Sequence, residues 1–318
     1  MRKNKIGTIL TIASYSLVGI HLINRYVSIH ADYRDILPLS QNRFYSWKLG
    51  RVYYNVKGKG EPILLLHDIT SGGSGYEWTR IEEELSQTHK VYTIDFPGCG
   101  RSEKVNQIYT NFVFVQFLVS FIRDIIKEET IVMASGYSCS VVIMANVYKE
   151  NLFKKIILIN PDNIQNLKKP VQVKGKIYHK IISTPILGTF IYHMHVSREK
   201  NTTLFINQYF SNPFKVDRDL MDAYYEAAHK GAYDCKFLYA SKAAGYMNVD
   251  IQKALQSLSE ETLLIRGEKE PGASTIDASY ITLAPSIHRI VIKDTKHLPH
   301  LERPKKLLAT IQAFLQME

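Results

Sequence analysis

Three polar segments that lie far apart in the chain carry residues that could act together in catalysis. Ser138 lies in ASGYSCSVV, residues 134–142, while Glu270 lies in RGEKEPG and His297 in DTKHLPHLERP. A serine hydroxyl becomes a nucleophile when a neutral imidazole takes its proton, and a carboxylate keeps that imidazole correctly oriented. The order serine, acid, histidine therefore predicts acyl transfer through a covalent acyl-enzyme.

The turn around Ser138 is suited to hold a nucleophile. At a tight turn between a strand and a helix, the residues two before and two after the nucleophile must be small, and Gly136 and Ser140 meet that demand. The N-terminus of the following helix would direct backbone N–H groups at a developing oxyanion. A serine that only caps a helix gives the same short pattern, so the motif alone leaves both interpretations open.

Apolar runs and amphipathic segments alternate along most of the chain after residue 43. The runs that predict buried strands are EPILLLHD, KVYTIDF, ETIVMAS, KKIILIN, ETLLIRG and HRIVIKD. Such alternation is typical of an α/β fold with a doubly wound, mostly parallel sheet. Ser138, Glu270 and His297 each follow one of these runs, and ligands of such sheets bind at the carboxyl ends of the strands. This shared edge favours Ser138 as a nucleophile.

The alternation stops between residues 161 and 250. Segments such as KIYHKIISTPILGTFIYHM have helical spacing there, without a run that predicts a buried strand. We therefore expect a helical lid at 161–250, inserted between the two parts of the core at 43–160 and 251–318. Residues 32–42 are predicted to be a linker.

Five motifs of the core resemble those of a known family. They are LLLHD, DFPGCGRS at 95–102, GYSCS, LLIRGEKE and KHLPHLERP. On these motifs the chain, over roughly residues 44–316, resembles the α/β-hydrolase superfamily, and within it the lid-bearing branch of serine esterases and dehalogenase-like proteins.

The resemblance implies a role for each matching residue. Ser138 would be the nucleophile, Glu270 the acid and His297 the base, and the backbone N–H groups of Ile69 and Cys139 would form the oxyanion hole. The substrate would be a hydrophobic carboxylic ester or related acyl compound, and no cofactor or metal is implied.

Some residues depart from the family's pattern. Asp68 stands where the family usually has a glycine after His67, and a carboxylate there would oppose an oxyanion; losing one good donor costs about 3 kcal/mol of transition-state stabilisation. Asp162, which follows the KKIILIN run, is an alternative acid. His300 is expected to face the lid or solvent rather than act as the base.

Two other functions remain open on the sequence. One is a non-catalytic ligand-binding protein on a degenerate hydrolase fold, for which Asp68 and Lys296 would be marks of lost activity. The other is a cofactor-free lyase or peroxidase-like activity on the same three residues.

The N-terminus predicts a membrane anchor at residues 1–31. A basic start, MRKNK, precedes an uncharged apolar run at residues 6–23, which at 1.5 Å per residue spans about 27 Å. The lysines and arginine before the run place the N-terminus in the cytoplasm and the rest of the chain outside the cell membrane. A cleaved signal segment, and thus a secreted protein, is the alternative.

Charge and cysteine content exclude other classes. The net charge is +10, but the first 60 residues contribute +8 of it, with ten Lys or Arg and two Asp or Glu. The predicted core is therefore nearly neutral, and no nucleic-acid partner is expected. The three cysteines are widely spaced, which predicts neither a metal site nor a disulfide framework.

Overall fold

The structure is a computed structural model that describes residues 2–38 and 43–316, with side chains from residue 7 onward. The described residues leave out residue 1 of the predicted anchor, residues 39–42 of the predicted linker and residues 317–318 of the predicted core. The strands are β1 Phe44–Trp47, β2 Gly50–Lys57, β3 Pro62–Leu66, β4 Lys90–Ile94, β5 Thr130–Ser135, β6 Phe153–Ile159, β7 Glu261–Gly267 and β8 His288–Ile292.

The helices of the described residues are numbered in chain order. They are α1 Arg2–Ala31, α2 Glu82–Leu85, α3 Asn111–Phe121, α4 Ser138–Tyr148, α5 Ile164–Leu167, α6 Val173–Ile182, α7 Leu187–His195, α8 Arg198–Leu204, α9 Arg218–His229, α10 Lys236–Ala244, α11 Gln252–Gln256, α12 Ala273–Leu283, α13 Pro299–Glu302 and α14 Pro304–Leu315. Short 3₁₀ turns occur at Gly75–Trp78, Pro213–Lys215 and Ala232–Cys235, and π turns extend α3 and α8 at Ile122–Ile126 and Phe205–Tyr209.

The eight strands form one sheet in the order β1-β2-β4-β3-β5-β6-β7-β8. Strands β1 and β2 pair antiparallel, β2 also pairs antiparallel with β4, and all the other pairs are parallel. The predicted α/β fold with a mostly parallel sheet is therefore confirmed. Because the strands from β3 onward are parallel, their carboxyl ends meet at one edge of the sheet.

Helices cover both faces of the sheet because its central strands are apolar on both sides. In β3, Leu64 and Leu66 belong to the cluster that packs under α3 and α4, while Ile63 and Leu65 belong to the cluster under α14. All four side chains are fully buried, and burying a leucine or isoleucine contributes roughly 1.5–3 kcal/mol. This two-sided core holds the strand ends, and the loops after them, in fixed positions.

The segment between β6 and β7 contains the helices α5 to α11 and no strand. Its helical content agrees with the sequence pattern at 161–250, whereas its action as a lid stays a prediction. Helix α9 is amphipathic, and its side chains Leu220 and Tyr224 pack with Phe205 and Leu298 of the neighbouring segments.

Helix α1 is a single helix of 30 residues. Its segment Gly7–Ala31 has a mean hydropathy of 1.3 and is mostly exposed, so by length and composition it could be a membrane span or a signal sequence. The C-terminal part of α1 packs against α7 and α9. There Asn24 is fully buried and its side-chain amide donates to the carbonyl of Ile186 at 2.9 Å.

Residues 32–38 of the predicted linker are bound to α9 rather than free. The side chain of Arg34 forms ion pairs with Asp219 and Asp222. The backbone N–H groups of Ile36 and Leu37 donate to the carboxylate of Glu226, at 2.7 and 3.3 Å. The prediction missed these contacts because single polar residues of a short segment do not indicate a distant partner.

Candidate active site

A glycine occupies the turn that joins β5 to α4. Strand β5 ends at Ser135 and α4 begins at Ser138, so Gly136 is the first residue of the turn. Its φ of +55° lies in the left-handed region that favours glycine. A nucleophile at such a turn would have this position and this strained backbone, with its side chain at the carboxyl edge of the sheet.

The prediction that Ser138 meets His297 is wrong. Ser138 is the first residue of α4, its side chain is completely buried, and its hydroxyl donates to the carbonyl oxygen of His67. The left-handed residue of the turn, Gly136, lies two positions before the predicted nucleophile. Residues Ala134 and Ser138 flank Gly136 at minus two and plus two, and they satisfy the demand for small residues as well as Gly136 and Ser140 do.

The carboxylate of Asp68 fills the space beside Gly136. A Cβ built on Gly136 would lie 2.6 Å from Cγ of Asp68, which is closer than any real contact. Oδ1 of Asp68 accepts the backbone N–H of Tyr137 at 2.9 Å, and Nζ of Lys242 lies 3.8 Å from the same oxygen. Asp68 thus stands where the side chain of an ordinary nucleophile would be, as a carboxylate from the loop after β3.

His297 and Glu270 come together as the sequence suggested. They lie in the loops after β8 and β7, and Nδ1 of His297 is 3.0 Å from Oε1 of Glu270. Nε2 on the other side of the ring is 4.0 Å from Oδ2 of Asp68. The ring of Tyr209 stacks on the imidazole with centroids 4.9 Å apart, which fixes the ring plane.

Asp68 and His297 form an ion pair. Burial alone would lower the pKa of His297, but its contacts with Asp68 and Glu270 raise the pKa to about 10. Burial would likewise raise the pKa of Asp68, but Lys242, His297 and the N–H of Tyr137 hold that pKa well below its usual range. These contacts favour the protonated imidazole and the ionised carboxylate, which makes His297 a weak base in this state.

The predicted oxyanion hole is partly corrected. The N–H of Cys139 donates to the carbonyl of Gly136 at 3.2 Å, within the first turn of α4. With Gly136 at the turn, the N–H that follows it is that of Tyr137, and this group holds Asp68. Ile69 lies in the expected loop, where its carbonyl accepts from Nζ of Lys242 at 2.8 Å; a role for its N–H stays a prediction.

Asp162, the alternative acid, does not bond to His297. It follows β6 as predicted, but Nδ1 of His297 is engaged by Glu270. Burial, together with the nearby charge of Asp68, raises the pKa of the Asp162 carboxyl, which favours its neutral form. This environment argues against Asp162 as the group that stabilises an imidazolium.

A second histidine–glutamate pair lies behind the site and was not predicted. Nε2 of His300 is 3.0 Å from Oε1 of Glu77, and both side chains are completely buried, so His300 faces neither lid nor solvent. Oε2 of Glu77 accepts the N–H of Asp68 at 3.1 Å, and the Trp78 ring stacks on His300. Burial would raise the pKa of Glu77, but His300 lowers it. The pair fixes the backbone of the loop that carries Asp68.

His67 orders the same loop. Its Nε2 accepts the backbone N–H of Phe96 at 3.1 Å, so Nδ1 carries the proton and donates to the carbonyl of Asp68 at 2.7 Å. The sequence predicted a carboxylate directed at the oxyanion hole, and the structure shows that one oxygen of this carboxylate accepts the N–H of Tyr137.

A cavity of about 300 Å³ lies under the helices that follow β6, and Asp68, Glu270 and His297 are not part of its wall. Its wall includes Lys242 and Tyr209, which contact Asp68 and His297, and Tyr224 of α9. The remaining wall is largely apolar and includes Val196, Leu204, Leu238 and Tyr239. Among the described residues no group of three or more His, Cys, Asp or Glu side chains could hold a metal ion.

The sheet order, the glycine turn after β5 and the loops after β7 and β8 define an α/β-hydrolase fold. A sequence model described as the alpha/beta hydrolase family matches residues 63–310. The chain belongs to this family.

Several solved structures share the fold. A serine hydrolase involved in carbazole degradation, the CarC enzyme, is 18% identical with a TM-score of 0.70, and the match covers 87% of this chain and 98% of that one. The epoxide hydrolase CorEH is 18% identical with a TM-score of 0.67, covering 86% and 97%. The enol-lactonase from Burkholderia xenovorans is 13% identical with a TM-score of 0.69, covering 86% and 100%. At these identities the similarity establishes the fold alone.

Proposed function

We propose that the chain is a hydrolase whose nucleophile is Asp68 and whose covalent intermediate is an alkyl ester of that carboxylate. The observation that carries the proposal is the position of Asp68 beside Gly136. One carboxylate oxygen is held by the N–H of Tyr137, and the other faces Nε2 of His297.

A carboxylate at this position favours substitution at saturated carbon over acyl transfer. Oδ2 of Asp68 would attack a carbon that carries a leaving group; the new C–O bond forms as the bond to the leaving group breaks, and the leaving group departs with the electron pair. Alkyl halides and epoxides have such carbons. The ammonium group of Lys242 lines the cavity and would stabilise the departing anion.

The second step would hydrolyse the ester. Alkylation removes the negative charge of Asp68, which is one of the two groups that raise the pKa of His297. His297 then releases its proton more easily and becomes a base for a water molecule that attacks the ester carbonyl. Glu270 would stabilise the imidazolium that forms, and the N–H of Tyr137 the oxyanion. His297 takes a proton from the water and returns it to the alkoxide oxygen as the ester C–O bond breaks, so the products are the alcohol, or a diol from an epoxide, and the regenerated carboxylate.

The substrate would be a hydrophobic small molecule, because the cavity wall is largely apolar. Tyr209 and Tyr224 also line the cavity, and burial raises the pKa of both phenols well above the ordinary value. Both hydroxyls therefore stay protonated, and that of Tyr224 donates to Oε2 of Glu77 at 3.4 Å.

The test is to trap the intermediate. His297→Gln removes the base of the second step, so the alkyl-enzyme accumulates when this variant is incubated with a panel of epoxides and alkyl halides. Mass spectrometry of the intact chain should show an added mass that maps to the peptide containing Asp68. Asp68→Asn in the same background should abolish the adduct, whereas Asp162→Asn is the matched control and should retain it. Absence of any adduct across the panel, or an adduct that persists in Asp68→Asn, contradicts the proposal.

A second candidate is a non-catalytic ligand-binding protein. The absence of a side chain at Gly136 and the satisfied ion pair between Asp68 and His297 favour it. It predicts that lipophilic compounds co-purify with the chain and that no adduct forms on His297→Gln.

We also propose that α1 anchors the protein in the cell membrane through residues 6–23, with the N-terminus inside and the hydrolase domain outside. The burial of Asn24 against Ile186 supports retention of this helix in the folded protein over its cleavage and secretion.

A further inference from the structure

Helix α6 presents an apolar stripe to solvent. Val173, Ile177 and Ile181 follow one another at intervals of four residues and are 72%, 56% and 46% exposed. Residues four apart lie on the same face of a helix, so the three side chains form one continuous strip. Leu187 at the start of α7 is also exposed, at 48%. We call residues 173–187 the basic lid face.

The charge around this stripe has one sign. Between residues 163 and 198 the chain has no Asp or Glu, but it has Lys168, Lys169, Lys174, Lys176, Lys180 and Arg198. Lys174, Lys176 and Lys180 of α6 are exposed, and the ion pairs that lysines form in the described part of the chain include none of these three. Free lysines beside exposed apolar residues are typical of a helix that lies on an anionic membrane surface.

Helix α1 fixes where a membrane would lie relative to this face. Directly after the apolar run at 6–23, Asn24 binds the carbonyl of Ile186, in the turn between α6 and α7. The ring of His21 stacks with that of Tyr233, and a cavity of about 410 Å³ lies there between α1 and the lid helices. A span formed by residues 6–23 therefore leaves the hydrocarbon beside Ile186 and Tyr233, and tyrosine is typical of this depth.

We propose that the basic lid face binds the surface of an anionic lipid bilayer, next to the span formed by α1. The apolar stripe inserts among the upper parts of the acyl chains, and the lysines contact headgroup phosphates. The proposal depends on α1 being a membrane span and is independent of the chemistry assigned to Asp68.

Membrane binding by this face connects the bilayer with the candidate site. Helix α7 begins at the membrane surface with Leu187 and ends at His195, which, with Val196, lines the cavity whose wall includes Lys242. One wall of the cavity is thus formed by an element whose other end contacts lipid. A lipophilic substrate dissolved in the membrane would be concentrated at this wall.

The test measures the distance of single sites from lipid in the full chain. Cysteines that replace Ile177 or Leu187 are labelled with bimane, and the protein is placed in nanodiscs of phosphatidylglycerol that contain a brominated lipid as quencher. Leu17→Cys in α1 is the positive control and Tyr148→Cys, exposed on α4, the negative one; the native cysteines are buried and stay unlabelled. We expect quenching at positions 17, 177 and 187 and none at 148.

Charge reversal supplies the matched comparison. The variant Lys174→Glu/Lys176→Glu/Lys180→Glu should lose at least half of the quenching at position 177, while Lys305→Glu/Lys306→Glu on α14 should leave it unchanged. The proposal is overturned if positions 177 and 187 show as little quenching as position 148. This holds even if α1 inserts into the bilayer, and it holds if the partner of the face is an acidic protein rather than lipid. It is overturned equally if position 17 is unquenched. A failure of the Asp68 chemistry would leave all these signals unaltered.

Discussion

At the scale of single residues, the site is explained by the pairing of Gly136 with Asp68. A side chain at position 136 and a carboxylate at position 68 would occupy the same volume, so the two residue types depend on each other. A serine hydrolase of this fold has a nucleophile at the turn after the strand and no carboxylate beside it. The glycine at position 136 and the carboxylate at position 68 are therefore two parts of one coupled change.

Gly136→Ala tests this coupling through stability. The added Cβ would lie 2.6 Å from Cγ of Asp68, and the φ of +55° strains any residue other than glycine. We expect the free energy of unfolding to fall by about 1–3 kcal/mol, the usual cost of forcing an extra carbon into a packed site. Urea unfolding measures it. Asp68→Gly in the same chain should recover part of the loss; an equally unstable double variant would show that the crowding comes from elsewhere.

The ion pair between Asp68 and His297 predicts a pH dependence. The folded-state pKa of His297 is raised from 6.5 to about 10, so its contribution to stability is complete below pH 6.5 and is lost as the pH rises through 10. Urea unfolding of the wild type should show falling stability over this window. In Asp68→Asn the fall should be smaller and should occur at lower pH, with Asp162→Asn as the control that keeps the wild-type profile. A profile unaffected by Asp68→Asn would refute the pair.

At the scale of elements, the sequence predicted the strands and the acid–histidine loops, but not the position of the turn. Apolar runs that are buried on both faces of a sheet are seldom compatible with another structure, so the order of strands and helices could be predicted from the sequence. Two overlapping five-residue frames, centred on Gly136 and Ser138, both have small flanking residues, and the end of a strand cannot be located to two residues from its sequence. The frame centred on Ser138 was chosen because it has a serine at its centre, whereas the structure has the turn at Gly136. The contact between Glu77 and His300 could not be predicted from the sequence, because the two residues are more than 200 positions apart in the chain.

The segment that follows α1 is an element whose attachment can be tested. Glu226 is almost completely buried and accepts the N–H groups of Ile36 and Leu37, and it also pairs with Lys230. Glu226→Gln removes the charge and part of the acceptor capacity, which costs on the order of 1–3 kcal/mol locally. We expect trypsin to cleave after Arg34 about tenfold faster than in the wild type, since 1.4 kcal/mol corresponds to a factor of ten.

Limited proteolysis of the full chain measures that rate. Glu83→Gln, whose carboxylate is 82% exposed on α2, is the matched control and should leave the rate unchanged. Equal cleavage rates in Glu226→Gln and the wild type would mean that Glu226 does not hold this segment.

At the scale of the whole molecule, the fold, the proposed anchor and the candidate site are connected by shared helices. The parallel sheet brings the loops after β3, β5, β7 and β8 to one edge, and the helices after β6 cover that edge. The same helices contact α1, so the side of the molecule that closes the cavity is also the side nearest the proposed membrane. Global charge indicated none of this, because most of the excess lies in the first 60 residues.

We infer that Gly136 marks the position of the missing nucleophile and that Asp68 has taken its space. Labelling with a fluorophosphonate probe tests it most directly. The wild type should remain unlabelled, because Ser138 is buried and bonded to the carbonyl of His67.

The decisive variant is Asp68→Gly/Gly136→Ser. It places a hydroxyl at the turn and removes one of the two anions that raise the pKa of His297, so we expect labelling at position 136 that disappears when His297→Gln is added. Labelling of the wild type at Ser138, or no labelling of the double variant although it is folded, would contradict it.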